Sequence, residues 1–414
     1  MRAGWRIVKG IYTFIKATLL KPANAIHWSA PMYSSTANIR ALMADFHITD
    51  VMLRYSSFVP RLYNLCKSLG FTPGKIMPSR AFCSDENQGY PIILISKHFG
   101  VFPFNHGQVG GIVATDRHAP HAEHGQDMVI IHASHVGYDP ERRVFGVYRR
   151  IQSEDQHLTA SCGKIEAVLR WYQDEYAFAR DNILLERQGE EYRVTIDNQL
   201  LRENRDEGLF LNLERLATAD QASHEWHPVY CRSTAKSLLA SPELRYRMEQ
   251  AGWADGQREP IGTWLQPEYF RFKRDVQGDL EGRSHLEKNL FDPMAWIVTA
   301  PHPLLTAAQV NTQVEFDRTF RTIVREHGYQ GKRVLYISGL HIDISPQAGQ
   351  RFPLTKFVPW AAFVQQPDGN HSTLEQVELF EHLRGQSNEN PDQINLEESI
   401  HQMELARQVD VATP

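Results

Sequence analysis

The chain has 414 residues, too many for a single ordinary core at ~150 residues per domain, so two or three domains are expected. With 42% hydrophobic and 22% charged residues and a net charge of -5, it lacks the basic excess that draws nucleic acid, which excludes that class of partner. Four cysteines in so long a chain do not make the disulfide framework of a small secreted domain, and no run approaches the ~20 apolar residues of a membrane span, so a reducing, cytoplasmic setting is expected.

From Met1 to Met43 there is no Asp or Glu, while Arg2, Arg6, Lys9, Lys16, Lys21 and Arg40 are present. Trp5, Val8, Tyr12, Ile15 and Leu19 recur at helical spacing. Residues 1–21 therefore suit a basic amphipathic helix in peripheral contact with an anionic membrane, or a targeting segment. Such a stripe equally serves a helix packed on its own domain or on a partner subunit. Residues 36 to 70 read as one or two helices, with Ile39, Leu42, Met43 and Phe46 in step and Gly70 as the stop.

Strand-like runs follow. Pro91 to Ser96 is short, apolar and partly β-branched, and Asp127 to Ala133 contains Met128-Val129-Ile130-Ile131. Arg143 to Tyr148 alternates weakly after a Tyr138-Asp139-Pro140 turn, so residues 127 to 148 predict a hairpin. A helix opens just after Cys162, with Ile165, Val168, Leu169, Tyr172 and Tyr176 on one face and Thr159 or Ser161 as its cap. Beyond residue 218 the pattern loosens into polar loops such as Ala254-Asp255-Gly256-Gln257. Strand character returns at Lys332 to Ile337 and Lys356 to Val364. Gln386 to Pro391 is a breaker before a last polar helix, a composition that suits a mobile tail.

Three groups carry chemistry: Cys83-Ser84-Asp85-Glu86, the histidines His118, His121, His124, His132 and His135, and Ser161-Cys162-Gly163. Two thiolates and an imidazole with an open fourth position describe a catalytic zinc site. A sulfur at the first turn of a helix meets unsatisfied N–H groups and the positive end of the dipole, which predicts a thiolate at Cys162. Asp85 shares a face with Cys83 if the segment is extended, so its carboxylate falls beside the metal. Among the histidines, His135 is favoured because it ends an apolar strand, whereas His121 and His124 lie in a polar loop. Cys66 and Cys231 read as packing residues. His106-Gly107-Gln108-Val109-Gly110-Gly111 lacks the Gly-Lys-Ser/Thr ending of a phosphate loop and reads as a tight turn. His341 with Asp343 is a weaker candidate for chemistry and as easily a solvated loop pair.

Four fragments in order resemble the limiting-CO2-inducible protein B family, which is related to the β-carbonic anhydrases. Cys83-Ser84-Asp85-Glu86 is similar to that family's Cys-x-Asp-Glu, and His118-Ala119-Pro120 to its His-Ala-Pro. His135-Val136-Gly137-Tyr138-Asp139 is similar to its His-Ile-x-Ile-Asp, and Ala160-Ser161-Cys162-Gly163 to its Ser-Ala-Cys-Gly.

The resemblance implies an α/β fold with a β-carbonic-anhydrase-like sheet flanked by helices, a homodimer, zinc on Cys83, His135 and Cys162, and Asp85 gating or orienting the fourth position. The implied activity is zinc-dependent hydration of CO2 to bicarbonate; by its ordinary imidazole pKa, His118 or His132 could carry the proton, and each equally suits a structural hydrogen-bonding role. The alternatives are a catalytically weak zinc protein that binds bicarbonate or serves assembly, and a hydrolase of a CO2 analogue such as carbonyl sulfide. The β-carbonic anhydrases place Arg two residues after the Asp; here Asn87 stands there, which leaves Arg80 or Arg117 to pair with Asp85. The chain is thus divided into an N-terminal helical region (1–70), a zinc domain (71–217), a C-terminal α+β region (218–385) and a polar tail (386–414).

Overall fold

The computed structural model describes residues 45–114, 127–150, 157–196, 207–218, 226–229, 236–275 and 283–405, all within one unit spanning 39 to 414. In chain order the central layers comprise β1 (Leu53–Arg54), α1 (Tyr55–Ser68), β2 (Ile76–Ala81), α2 (Gly89–Phe99), β3 (Phe104–Asn105), β4 (Asp127–Asp139), α3 (Gly163–Asn182), α4 (Pro303–Arg325), β5 (Val334–Ile344), β6 (Leu354–Gln365), β7 (His371–Leu374) and α5 (Gln376–Arg384).

The central sheet runs β1-β6-β5-β4-β2-β3, with β7 against β6 and a short strand Val144–Phe145 turned back on β4. β4 pairs in parallel with β5 on one side and β2 on the other, whereas β5 and β6 are antiparallel. A strand with parallel neighbours and covered faces must be apolar on both, which is why Met128 to Ile131 forms an unbroken hydrophobic run. Its side chains still alternate. Val129, Ile131 and Ala133 pack with α1, α2 and α5 through Phe58, Leu62, Ile95 and Leu379. Met128 and Ile130 pack on the opposite layer with Phe316 and Ile323 of α4. A mixed α/β sheet flanked by helices is the result.

The long crossover from β4 to β5 carries a smaller antiparallel sheet of Lys236–Leu239, Glu191–Ile196, Ile183–Gln188 and Arg258–Pro260, and a three-stranded one around Gly208–Leu211. α3 joins these to the site: Ile165, Val168, Leu169 and Tyr172 are buried at helical spacing in their shared core.

Four expectations change. Pro91 to Ser96 is helix α2, not a strand; a short apolar run carries no period, and Gly100 in the left-handed conformation (φ 75°) ends it as a helix cap does. The 23-residue helix α4 lies where the sequence reads as polar loops, because its buried face includes Thr306, Asn311, Thr312, Glu315 and Thr319 as well as apolar residues. Cys162 itself is the N-cap of α3, and no side chain caps it. The breaker at 386–391 lies along α1 and α2: Asn64 donates to the Ser387 and Glu389 carbonyls, Tyr63 and Lys67 reach Asp392, and Asn390 donates to His98. Residues 1–43, with the predicted basic helix, lie outside the described residues.

Candidate metal centre

The site forms where β2 and β4 run out in parallel at their carboxyl ends, the usual place for a binding crevice in such sheets. Cys83 follows β2 by two residues, His135 lies on β4 on the face turned toward α1 and α2, and Cys162 opens α3. The extended backbone at Asp85 (φ -59°, ψ 144°) swings its carboxylate to the same point. One ligand atom from each of Cys83, Asp85, His135 and Cys162 lies within 4.8 Å of all the others, and the cluster could hold a metal ion.

The separations fit that role. Cys83 Sγ and Cys162 Sγ are 3.8 Å apart, far beyond a disulfide bond, and two sulfurs at about 2.3 Å from a tetrahedral zinc stand about 3.8 Å from each other. His135 is fully buried. Its Nε2 points into the cluster 3.3 Å from Asp85 Oδ2, yet neither atom makes a hydrogen bond. Orphaned buried polar atoms on two facing side chains are costly, and a cation between them satisfies both.

The other imidazole nitrogen is fixed. Nδ1–H of His135 donates to Asp343 Oδ2 at 2.9 Å, which leaves Nε2 as the lone-pair atom for a metal. Asp343 also accepts from Gln88 Nε2 (2.8 Å) and Thr355 Oγ1 (3.2 Å), and His341 Nδ1–H donates to Gln88 Oε1 at 2.6 Å. His341 and Asp343 are therefore not a solvated loop pair. Both are buried on β5, whose register sets His341 opposite His135. Burial raises the Asp343 carboxyl, with the bond to His135 opposing.

Pairing with the Cys162 sulfur and the Gly110 N–H, which donates to Sγ at 3.2 Å, hold the Cys83 thiol below its ordinary range. Cys162 is pushed up, by that same pairing and by burial. At Cys162 burial and the neighbouring Cys83 sulfur thus oppose the effect expected of the helix start. Burial alone would lower His135, but the sulfur of Cys162 and the Asp343 bond raise it instead. Metal binding displaces these protons.

Asp85 has an arginine beside it after all. The hairpin Val147–Arg149 with Leu158–Ala160 brings Arg150 to 3.8 Å from Asp85 Oδ1 and into an ion pair with Glu86. Arg80 sits on β2, and Arg117 lies outside the described residues. Asn87, in place of the expected arginine, donates to Ser161 Oγ at 3.0 Å and so ties the Cys83 segment to the Cys162 segment. Burial raises Asp85, with His135 and Arg150 opposing.

His118, His121 and His124 lie outside the described residues. His132 occupies the opposite face of β4. Its Nε2–H donates to the Gly111 carbonyl (2.9 Å), its Nδ1 accepts from Ser338 Oγ (2.7 Å), and burial lowers its pKa to about 4. Both nitrogens are committed to the fold, so the geometry does not make it a proton carrier.

Sequence reasoning named Asp343 without linking it to the cluster, and it missed Gln88 and Arg150 as neighbours of the cluster. The signal for Asp343 was its acidic character inside an apolar strand; nothing local marked the other two.

No family profile matches the sequence, and no curated protein is found similar to it. Among the described residues no helix is long and apolar enough to cross a membrane. Among solved structures, the chain is similar to PtLCIB4, a homolog of the limiting CO2-inducible protein LCIB, with TM-score 0.46 and 12% identity over 83% of this chain and 99% of that one. It is also similar to limiting CO2-inducible protein LCIB, with TM-score 0.39 and 11% identity over 79% and 96% of the two chains.

Proposed function

We propose that this protein is a carbonic-anhydrase-like hydratase that interconverts CO2 and bicarbonate with zinc held by Cys83, His135 and Cys162. The observation that carries the reading is the convergence of two sulfurs 3.8 Å apart with the orphaned His135 Nε2 and Asp85 Oδ2. When bound, zinc supplies the acidity that makes water a nucleophile near neutral pH. The chain's own residues do the rest. Asp343 holds His135 in the ligating tautomer, and the Gly110 N–H steadies the Cys83 sulfur. Asp85 Oδ2 stands at the fourth corner of the cluster, and Arg150, 3.8 Å from Oδ1, is placed to draw the carboxylate aside so that water and CO2 enter.

One observation favours a second reading, a zinc protein that binds bicarbonate with little turnover. Asp85 lies inside the ligand cluster, and a carboxylate that stayed there as fourth ligand would leave water no place. Stopped-flow CO2 hydration on protein of measured zinc content separates the two. The hydratase reading expects a rate that follows zinc occupancy and disappears in Cys83→Ser and Cys162→Ser. Full zinc without rate enhancement selects the second reading, and full activity in metal-free protein rejects both.

A further inference from the structure

We propose that Glu315, on α4 and remote from the metal cluster, is a positioning residue for the Cys83 sulfur, acting through the glycine turn at 107–111. The inference rests on the metal-site reading above. Glu315 is fully buried, and a buried carboxylate must be held by donors. Its Oε2 accepts from the Val113 N–H at 2.8 Å and pairs with Arg318, while Oε1 accepts from Asn289 Nδ2 (2.7 Å) and lies 3.2 Å from His285 Nε2. Arg318 in turn donates to the Val113 carbonyl, so Glu315 and Arg318 grip both faces of one peptide residue.

Val113 ends the second arm of a two-stranded turn, Gly107–Gln108 with Ile112–Val113. The rest of the turn is clamped as well: Asn311 Nδ2 reaches the Gly110 and Gly111 carbonyls at 3.3 and 3.4 Å, and His132 donates to the Gly111 carbonyl. The turn needs glycine. Gly110 and Gly111 have φ of 87° and 74°, and a Cβ on Gly111 would stand 2.9 Å from the Ala133 carbonyl oxygen. What the clamped turn presents to the site is the Gly110 N–H, 3.2 Å from Cys83 Sγ. N–H donation to a thiolate sets its charge and the direction of its lone pairs, as outer partners of metal ligands generally do. Glu315 and the glycine motif therefore belong to the metal centre.

Cobalt(II) is the probe, added to the full metal-free chain, because the thiolate-to-cobalt absorption band reports on the sulfur ligands and needs no turnover. Glu315→Ala is expected to shift that band and weaken cobalt binding about tenfold. Glu315→Gln, which keeps an acceptor for the Val113 N–H, is expected to restore most of both. Asp127→Asn breaks the pair with Arg333 at the far end of β4 and serves as the control, losing stability with the band unchanged. A wild-type band and affinity in Glu315→Ala overturns the inference while leaving the metal site standing. If Glu315→Ala does not fold, Arg318→Met removes the outer arm of the same clamp, and a wild-type band there overturns the inference equally. Absence of any thiolate band in the wild-type protein defeats the metal-site reading itself, and the inference with it.

Discussion

The two faces of β4 carry one histidine each, three residues apart, and treat them oppositely. On one face His132 has both ring nitrogens bonded and its charge suppressed by burial. On the other, His135 is bonded at Nδ1 alone and aims an unpartnered Nε2 at two sulfurs and a carboxylate. Both are completely buried. Burial therefore does not distinguish a structural imidazole from a candidate ligand, and neither does an orphaned nitrogen alone, since buried His341 also leaves its Nε2 unpartnered; what marks His135 is that its free nitrogen converges with Cys83, Asp85 and Cys162.

The contrast is open to attack from either side. The largest effect is expected from His135→Ala, which should abolish stoichiometric zinc by metal analysis and lower CO2 hydration by on the order of a thousandfold. Retention of zinc in that variant would erase the distinction between the faces. Next comes acid stability on the His132 face, where burial pushes Glu315 up but His285 and Arg318 outweigh it and hold it at about 2. Because its folded pKa lies below the ordinary 4.5, its contribution is complete above pH ~4.5 and is lost as pH falls toward 2, up to about 3 kcal/mol. Urea unfolding of wild type and Glu315→Gln at pH 3 and 6 measures this, and equal pH slopes would contradict it.

Asp343→Asn sharpens the comparison on the ligand face, since it removes the charge behind His135 and keeps the shape. Chelator competition should show zinc affinity reduced about 10–100-fold. The smallest effect is expected from His132→Leu, which leaves the Gly111 carbonyl and Ser338 hydroxyl with only their long bonds to Asn311 and Thr312. It should cost about 1–2 kcal/mol in denaturant unfolding with one zinc per chain retained. Loss of zinc stoichiometry there would mean that the hold of His132 on the glycine turn is needed for metal binding itself and not only for stability.

Residue chemistry made part of this legible in advance. Cys83, Asp85, His135 and Cys162 stood out by type and by order, and β4 and α3 by their apolar patterns. What remained hidden was long-range. Asp343 reaches His135 only through the parallel pairing of β5 with β4, and Arg150 reaches Asp85 only because a hairpin folds back over the cluster. No local rule encodes either. The surroundings of the two sulfurs were hidden for a related reason: the dipole of α3 is a local property, whereas Gly110 and Cys162 converge on Cys83 from two distant segments. Helix α4 was missed because polar residues interrupt its buried stripe, and those residues, Asn311 and Glu315 among them, are the ones that hold the glycine turn.

The pairing of His135 with Asp343 spans 208 residues of chain. At 5–20 residues per second of synthesis, the imidazole emerges about 10–40 s before the carboxylate that fixes its tautomer. Until then β4 lacks its β5 neighbour, and its apolar run waits with an open edge. A metal bound in the proposed site would thus be held in its final form only late in the life of the nascent chain, and a ribosome-stalled fragment ending before residue 334, which keeps Cys83, His135 and Cys162 but lacks Asp343, should bind zinc more weakly than the full chain.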